Sequence, residues 1–221
     1  MKLVHPDYLF SIDFKEDEIY TVVIEDAEEF YKLTNELIGQ ANGEEGSFVL
    51  SNKKILNMKK SLDILTDIYS LDINSTKSKN KLYKYLDKTK NDYNLEVQEL
   101  NAQIYNLMSK IENDLIIDMQ YSLDVDYKNI LKAINLEFYN DFDSFIEKLI
   151  NYLDVYTDFF NIETYVLINL KAFLTQTTYN QLLNYKTNKE INLLFIENRE
   201  ITFNSKYDKI YIIDRDLSEI Y

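Results

Sequence analysis

Tyr165-Val166-Leu167-Ile168-Asn169-Leu170 places five apolar residues in six positions without alternation. A strand needs that pattern when both faces of its sheet are covered. Ile191-Asn192-Leu193-Leu194-Phe195-Ile196 repeats it, and Ile210-Tyr211-Ile212-Ile213 supplies a third run. Between the first two, Thr175 or Thr177 caps a helix that carries Leu182 and Leu183. Strand, helix and strand in that order predict right-handed βαβ crossovers and an α/β fold with a mostly parallel sheet.

Working outward to the N-terminus, Phe10, Ile12 and Phe14 alternate with polar neighbours, and Ile19-Tyr20-Thr21-Val22-Val23-Ile24 is rich in β-branched residues. Both stretches read as strands, and the N-terminal strand is expected in the same sheet. Glu25 and Asp26 open a helix, because acids suit a first turn and Phe30, Leu33, Leu37 and Ile38 follow at helical spacing. Gly39, Gly43 and Gly46 end it. They are the only three glycines in the chain, and no Lys-Ser/Thr follows the last. A phosphate-cradling loop needs that lysine, so the run reads as a turn.

The middle is helical. Leu82, Leu86, Tyr93, Val97, Leu100, Ile104, Leu107, Ile111 and Leu115 recur at helical steps without Gly or Pro. One helix of ~40 residues from Ser75 or Thr76, roughly 60 Å long, is predicted, with a second around Ile130 to Ile134 packing back on it. A further amphipathic helix covers Asp143 to Phe160, through Phe145, Leu149, Leu153, Tyr156 and Phe160. The head is expected from residues 1–58 and 138–221, and an inserted helical leg from 59–137.

Composition narrows the function. The 221 residues include 12 Phe and 19 Tyr, which a disordered chain could not hold in water, so a folded protein is expected. No stretch approaches the roughly 18 apolar residues of a membrane span, and the N-terminus lacks a signal-peptide core. A cytoplasmic protein without membrane contact follows as an expectation. With no cysteine and a single histidine, His5, thiol nucleophiles, disulfides and Cys- or His-based metal sites are excluded, and Ser-His relays fit poorly. The abundance of Lys, Asn, Ile and Tyr fits an AT-rich bacterial genome.

The net charge of −14 argues against a polyanionic partner until it is resolved along the chain. Residues 51–90 carry ten lysines against four acids, an excess of +6, which leaves −20 elsewhere. A ligand beside that segment feels the local charge, since the Debye length is only about 10 Å in ordinary salt. Lys77, Lys81, Lys84 and Lys88 fall on one helical face. Their mutual repulsion is relieved by a polyanion; a merely solvated face is the plain alternative. Lys53, Lys54, Lys59 and Lys60 form two further pairs. The only two arginines, Arg199 and Arg215, lie outside the segment, so contact with phosphates and little sequence preference is expected.

Asp118, Asp124 and Asp126 gather at the end of the long helix, with Ser122 in alternation, a donor set that a hard cation such as Ca²⁺ accepts. A solvated acidic turn is the alternative, and no EF-hand loop is present. Asp141/Asp143 and Asp214/Asp216 read as caps and loops. Tyr83, Tyr85 and Tyr93 alternate with leucines in the way of packed residues, with exposed stacking platforms for single strands as the alternative.

Several stretches together resemble the short form of the Csn-type adaptation protein of type II-A CRISPR systems. They are Leu65-Thr66-Asp67-Ile68-Tyr69-Ser70-Leu71-Asp72-Ile73-Asn74-Ser75 before the lysine-bearing helix, Thr21 to Asp26, Ala172-Phe173-Leu174-Thr175, Leu193 to Glu200, and Tyr211-Ile212-Ile213-Asp214-Arg215-Asp216. Each is weak alone; five in order over the whole chain are specific. The resemblance implies an α/β head like a degenerate nucleotide-binding fold without a working phosphate loop, an inserted leg, and a homotetrameric ring. It also implies binding of linear double-stranded DNA in a lysine-lined hole, calcium at the leg, and action in spacer acquisition beside the Cas integrase and the large Cas nuclease. No catalysis is implied. Lys53 aligns with a family basic position, whereas Lys59 and Lys60 fall where members can carry acids. Asp124 and Asp126 match the acidic run, Gln120 and Ser122 stand where members can have glutamates, and Asp118 substitutes from one turn earlier. The rival reading is an acidic scaffold whose lysine face meets a protein partner.

Overall fold

The structure is a computed structural model that describes residues 1–69, 71–115, 117, 120–122 and 125–220. It opens with β1 (Lys2–Val4), β2 (Ser11–Asp13) and β3 (Ile19–Ile24), and all six residues of β3 are buried. α1 (Ala27–Asn42) begins where Asp26 accepts a hydrogen bond from the Glu29 N–H, and Gly43 ends it at φ 101°. That conformation is one L side chains rarely adopt, and a Cβ there would also meet the Lys59 side chain at 3.1 Å. Of the three glycines expected to end the helix, Gly43 does so, while Gly39 lies inside it and Gly46 follows it.

Next come β4 (Val49–Asn52), β5 (Lys54–Ile55), the single turn α2 (Met58–Ser61) and β6 (Leu62–Leu65). The middle holds α3 (Thr76–Asp87), α4 (Asn94–Asn113) and α5 (Tyr127–Ala133). The chain ends through α6 (Phe145–Phe160), β7 (Thr164–Ile168), α7 (Gln176–Lys189), β8 (Asn192–Glu197), β9 (Asp208–Ile213) and β10 (Glu219–Ile220). α7 starts at Thr175, in a capping box with Thr178.

Two sheets result. The larger has the order β10-β9-β3-β8-β7-β6, parallel throughout except for the β10 hairpin strand. The smaller is antiparallel, β2-β1-β4-β5. Thus β3 joins the parallel sheet as expected, while the alternating run around Ile12 belongs to the other sheet. Val22, Ile24, Val166, Ile168, Leu194 and Ile196 share one core with Leu33 and Leu37 of α1 and with Leu3 and Leu50 of the small sheet. The opposite face of β7 carries Tyr165, whose hydroxyl donates to the Leu153 carbonyl of α6 at 3.2 Å. Covering both faces explains the unbroken apolar runs, and each buried Val, Leu or Ile contributes roughly 1.5–3 kcal/mol.

The chain divides into two compact units, Met1–Asp72 with Asp141–Tyr221, and Ile73–Asn140. The boundaries expected at 58/59 and 137/138 are therefore displaced. The first moves because Leu62–Leu65 pairs in parallel with Thr164–Leu167 and so belongs to the head sheet. Within the inserted unit the single long helix is also corrected, since α3 and α4 are separate and a 3-10 turn, Lys90–Tyr93, lies between them. At the break the Thr89 hydroxyl takes the Leu86 carbonyl at 2.8 Å, competing with the helical ladder, and Asn91 and Asp92 follow. The apolar repeat steps from Leu86 to Tyr93 across this gap, which concealed it.

Candidate nucleic-acid interface

α3 orders four of the lysines. Ser75 caps it by accepting from the Ser78 N–H at 3.2 Å, and Ser78 and Leu82 form the buried side. Around it, the Tyr83 hydroxyl donates to the Leu136 carbonyl at 3.0 Å, and Asn74 brackets Phe138 with both amide atoms, each at 2.8 Å. These bonds fix the rotation of α3. Lys77, Lys84 and Lys88 are then exposed and Lys81 half-buried, on a common face away from Leu82. Lys84 and Lys88 lie at the helix C-terminus, where the macrodipole favours cations. Lys79 sits on a different side and is engaged by Glu137 at 2.7 Å.

The other four lysines belong to the head unit. Lys53 forms the β4–β5 turn at φ 58°, and Lys54 pairs with Asn52 beside it. Lys59 and Lys60 ride on α2, and the Lys59 side chain lies over Gly43 at the C-terminal end of α1. All four are exposed. Of the eight candidate lysines, the four in the head thus lie on one short stretch of chain and the four in the inserted unit on one helix.

Of the acidic set, Asp118 and Asp124 lie outside the described residues. Asp126 is the N-cap of α5, its Oδ1 accepting from the Asn129 N–H at 2.6 Å, which leaves one carboxylate oxygen for a cation. Among the described residues no group of three acidic or histidine side chains could hold a metal. His5 is also committed, with Nδ1 accepting from the Asp7 N–H and Nε2 facing Glu36 at 3.3 Å.

The phosphate-binding position of such a sheet follows β3, and there the chain turns through Glu25 and Asp26. Asp26 already caps α1 and acids occupy its first turn, so this helix end repels phosphate.

The model of the CRISPR-associated protein family Cas_Csn2 matches residues 40–217. The chain belongs to that family. The CRISPR-associated protein Csn2 of Enterococcus faecalis is 22% identical over 189 residues, covering 84% of this chain and 85% of the relative. The crystal structure of Stu0660 of Streptococcus thermophilus superposes with a TM-score of 0.57 at 16% identity, over 100% of this chain and 76% of the other. The mixed α/β fold read from the apolar runs is thus a Csn2 fold, and the protein is CRISPR-associated. Among the described residues no helix is long and apolar enough to cross a membrane.

Sequence reasoning missed a buried charged group in the head. Lys171, fully buried, donates from Nζ to Thr21 Oγ1 at 2.8 Å and to Asp208 Oδ2 at 2.6 Å, with the rings of Tyr179, Phe195 and Phe203 each 5.7 Å away. Glu197 accepts from the Lys171 N–H at 2.9 Å, and burial pushes its pKa up to about 7. An acid directly after the buried run Leu193–Ile196 was the one available signal.

Proposed function

We propose that this Csn2-family chain binds linear double-stranded DNA, without sequence preference and without catalysis, as a homotetrameric ring that takes part in CRISPR spacer acquisition in the cytoplasm. Lys77, Lys81, Lys84 and Lys88 of each subunit would line the hole, with Lys53, Lys54, Lys59 and Lys60 as further phosphate contacts. The observation that carries this reading is the common face of the four α3 lysines, held away from the buried Leu82 side. Like charges three and four residues apart on one helix face repel each other, and a polyanion relieves that repulsion. An acidic remainder discourages binding elsewhere on the surface.

The non-enzymatic part rests on chemistry absent from the sequence, with no cysteine and one histidine, and on the acidic start of α1. Calcium, steadying the inserted unit through Asp118, Asp124 and Asp126, is proposed from the family resemblance. The Cas integrase and the large Cas nuclease of the same system are the proposed protein partners.

A closed hole admits only a free terminus. In a competition shift assay, linear duplex is expected to displace closed circular duplex of the same sequence. Equal binding of the two forms would sink ring threading. Undiminished DNA binding after charge reversal at the four α3 lysines would favour the acidic-scaffold reading.

A further inference from the structure

The head unit has a cavity of about 280 Å³ at the carboxyl ends of β7 and β8, lined by Asn169, Ala172, Phe173, Glu197, Asn198 and Arg199. Open parallel sheets seat their ligands outside the carboxyl ends of the strands, where the loops part. Here the walls are tied in advance. Asn169 takes φ 55°, its N–H donates to the Ile196 carbonyl at 2.9 Å, and its Oδ1 accepts from the Asn198 N–H at 3.0 Å. Glu197 is 1% exposed and holds the Lys171 N–H, while Lys171 is anchored below by Thr21 and Asp208. Walls already ordered by their own hydrogen bonds lose little freedom when a ligand arrives.

The lining has a distinctive composition. Arg199 is an exposed guanidinium that acts electrostatically on Glu197, so cation and carboxyl share the site. Phe173 is 46% exposed, an aromatic wall with its packing contact to Phe145. Asn198 adds an amide. A planar ring with a polar edge and one anionic group uses all of these, whereas an inorganic anion leaves the aromatic unused and an apolar molecule leaves Arg199 unused. The volume stands at the lower limit of small-molecule sites, too small for a dinucleotide. The carboxyl of Glu197 disfavours a triphosphate. We propose that this cavity binds a nucleoside monophosphate, with the base against Phe173 and the phosphate on Arg199.

None of the lining residues belongs to the lysine set, and the proposal goes beyond the DNA-binding reading. It is tested by calorimetric titration of the full chain with deoxyadenosine monophosphate, adenosine and inorganic phosphate. The monophosphate is expected to bind at one site per chain, and Arg199→Ala and Phe173→Ala are each expected to weaken it by about tenfold, the scale of one charge-assisted or stacking contact. Asn198→Asp, which adds a negative charge at the rim, is a second variant with the same expected direction and no loss of packing. Both Arg199→Ala and Phe173→Ala should shift linear DNA as the parent does. No binding of the monophosphate at millimolar concentration, equal binding by all three variants, or inorganic phosphate binding as tightly as the monophosphate would each overturn the proposal.

Discussion

Lys171 and Asp208 form an ion pair at 2.6 Å whose side chains are 0% and 3% exposed. Thr21 completes it, accepting from Lys171 Nζ and donating to Asp208 Oδ1 at 3.0 Å. The three residues come from the turn after β7, the middle of β3 and the first position of β9, so the pair bridges strands that are not all neighbours in the sheet. Two of the three Lys171 Nζ–H groups and both Asp208 carboxylate oxygens are engaged within the cluster, which offsets part of the desolvation cost locally.

Removing one partner should be severe. Lys171→Met leaves a buried carboxylate without its cation and is expected to cost about 3–5 kcal/mol. Adding Asp208→Asn to that variant removes the orphan charge and should recover a large part of the loss. Urea denaturation of the two variants checks this, and a double variant no better than Lys171→Met would refute the pairing.

Glu197 gives a pH signature. Burial raises its pKa from 4.5 to about 7, against the partial relief supplied by the Lys171 N–H and by the charges of Lys171 and Arg199. The folded state then holds the proton more tightly than the unfolded one. Its stabilising contribution is complete below pH 4.5 and is lost as the pH rises through 7. Glu197→Gln keeps an oxygen for the Lys171 N–H but cannot ionise. Relative to the parent, its urea midpoint should rise between pH 5 and pH 8, by an amount worth up to roughly 3 kcal/mol. Parallel pH profiles for the two proteins would show that Glu197 does not titrate in this range.

The parallel sheet and its caps were legible because they depend on local patterns. Unbroken apolar runs at Tyr165 and Ile191 demand coverage on both faces, and Asp26, Thr175 and Gly43 act within one helical turn of their own positions. Leu62–Leu65 was not legible, since a four-residue strand among lysines becomes one only through its distant partner β7. The break at Thr89 was hidden by a heptad-like step that spans it. Lys171 reads as an ordinary loop lysine, because its burial depends on residues 150 and 37 positions away in sequence. The lysine face was legible from spacing, which also sets Lys79 on a different side of α3, but the contact of Lys79 with Glu137 was not.

Asp126 tests calcium separately from capping. Asp126→Ser retains an oxygen for the Asn129 N–H and discards the charge, so the calcium-free protein should keep its thermal midpoint. Asp126→Ala loses the cap and is expected to cost about 1 kcal/mol without calcium. If the carboxylate is a ligand, calcium raises the midpoint of the parent and no longer does so in either variant. A calcium-induced rise that survives Asp126→Ser would remove this residue from the set.

The salt dependence of DNA binding distinguishes lysines that meet phosphate from lysines that do not. If four subunits neutralise ~8 phosphates, log affinity for linear duplex should fall with log salt at a slope near −7, about −0.9 per phosphate. Lys84→Gln with Lys88→Gln removes exposed charges from the α3 face, so the slope should flatten by about 0.9 for every phosphate that is no longer neutralised, with the native mass unchanged. Lys79→Gln removes a charge already held by Glu137 at 2.7 Å. It should leave the slope where it was, because an ion pair formed before DNA arrives releases no further counterions from the duplex. The measurement is a titration of labelled linear duplex across 50–200 mM salt, the range over which such interactions alter affinity most visibly. A slope equally altered by Lys79→Gln would mean that the charge of the segment acts as a whole, and one unaltered by the α3 pair would exclude that face from the DNA.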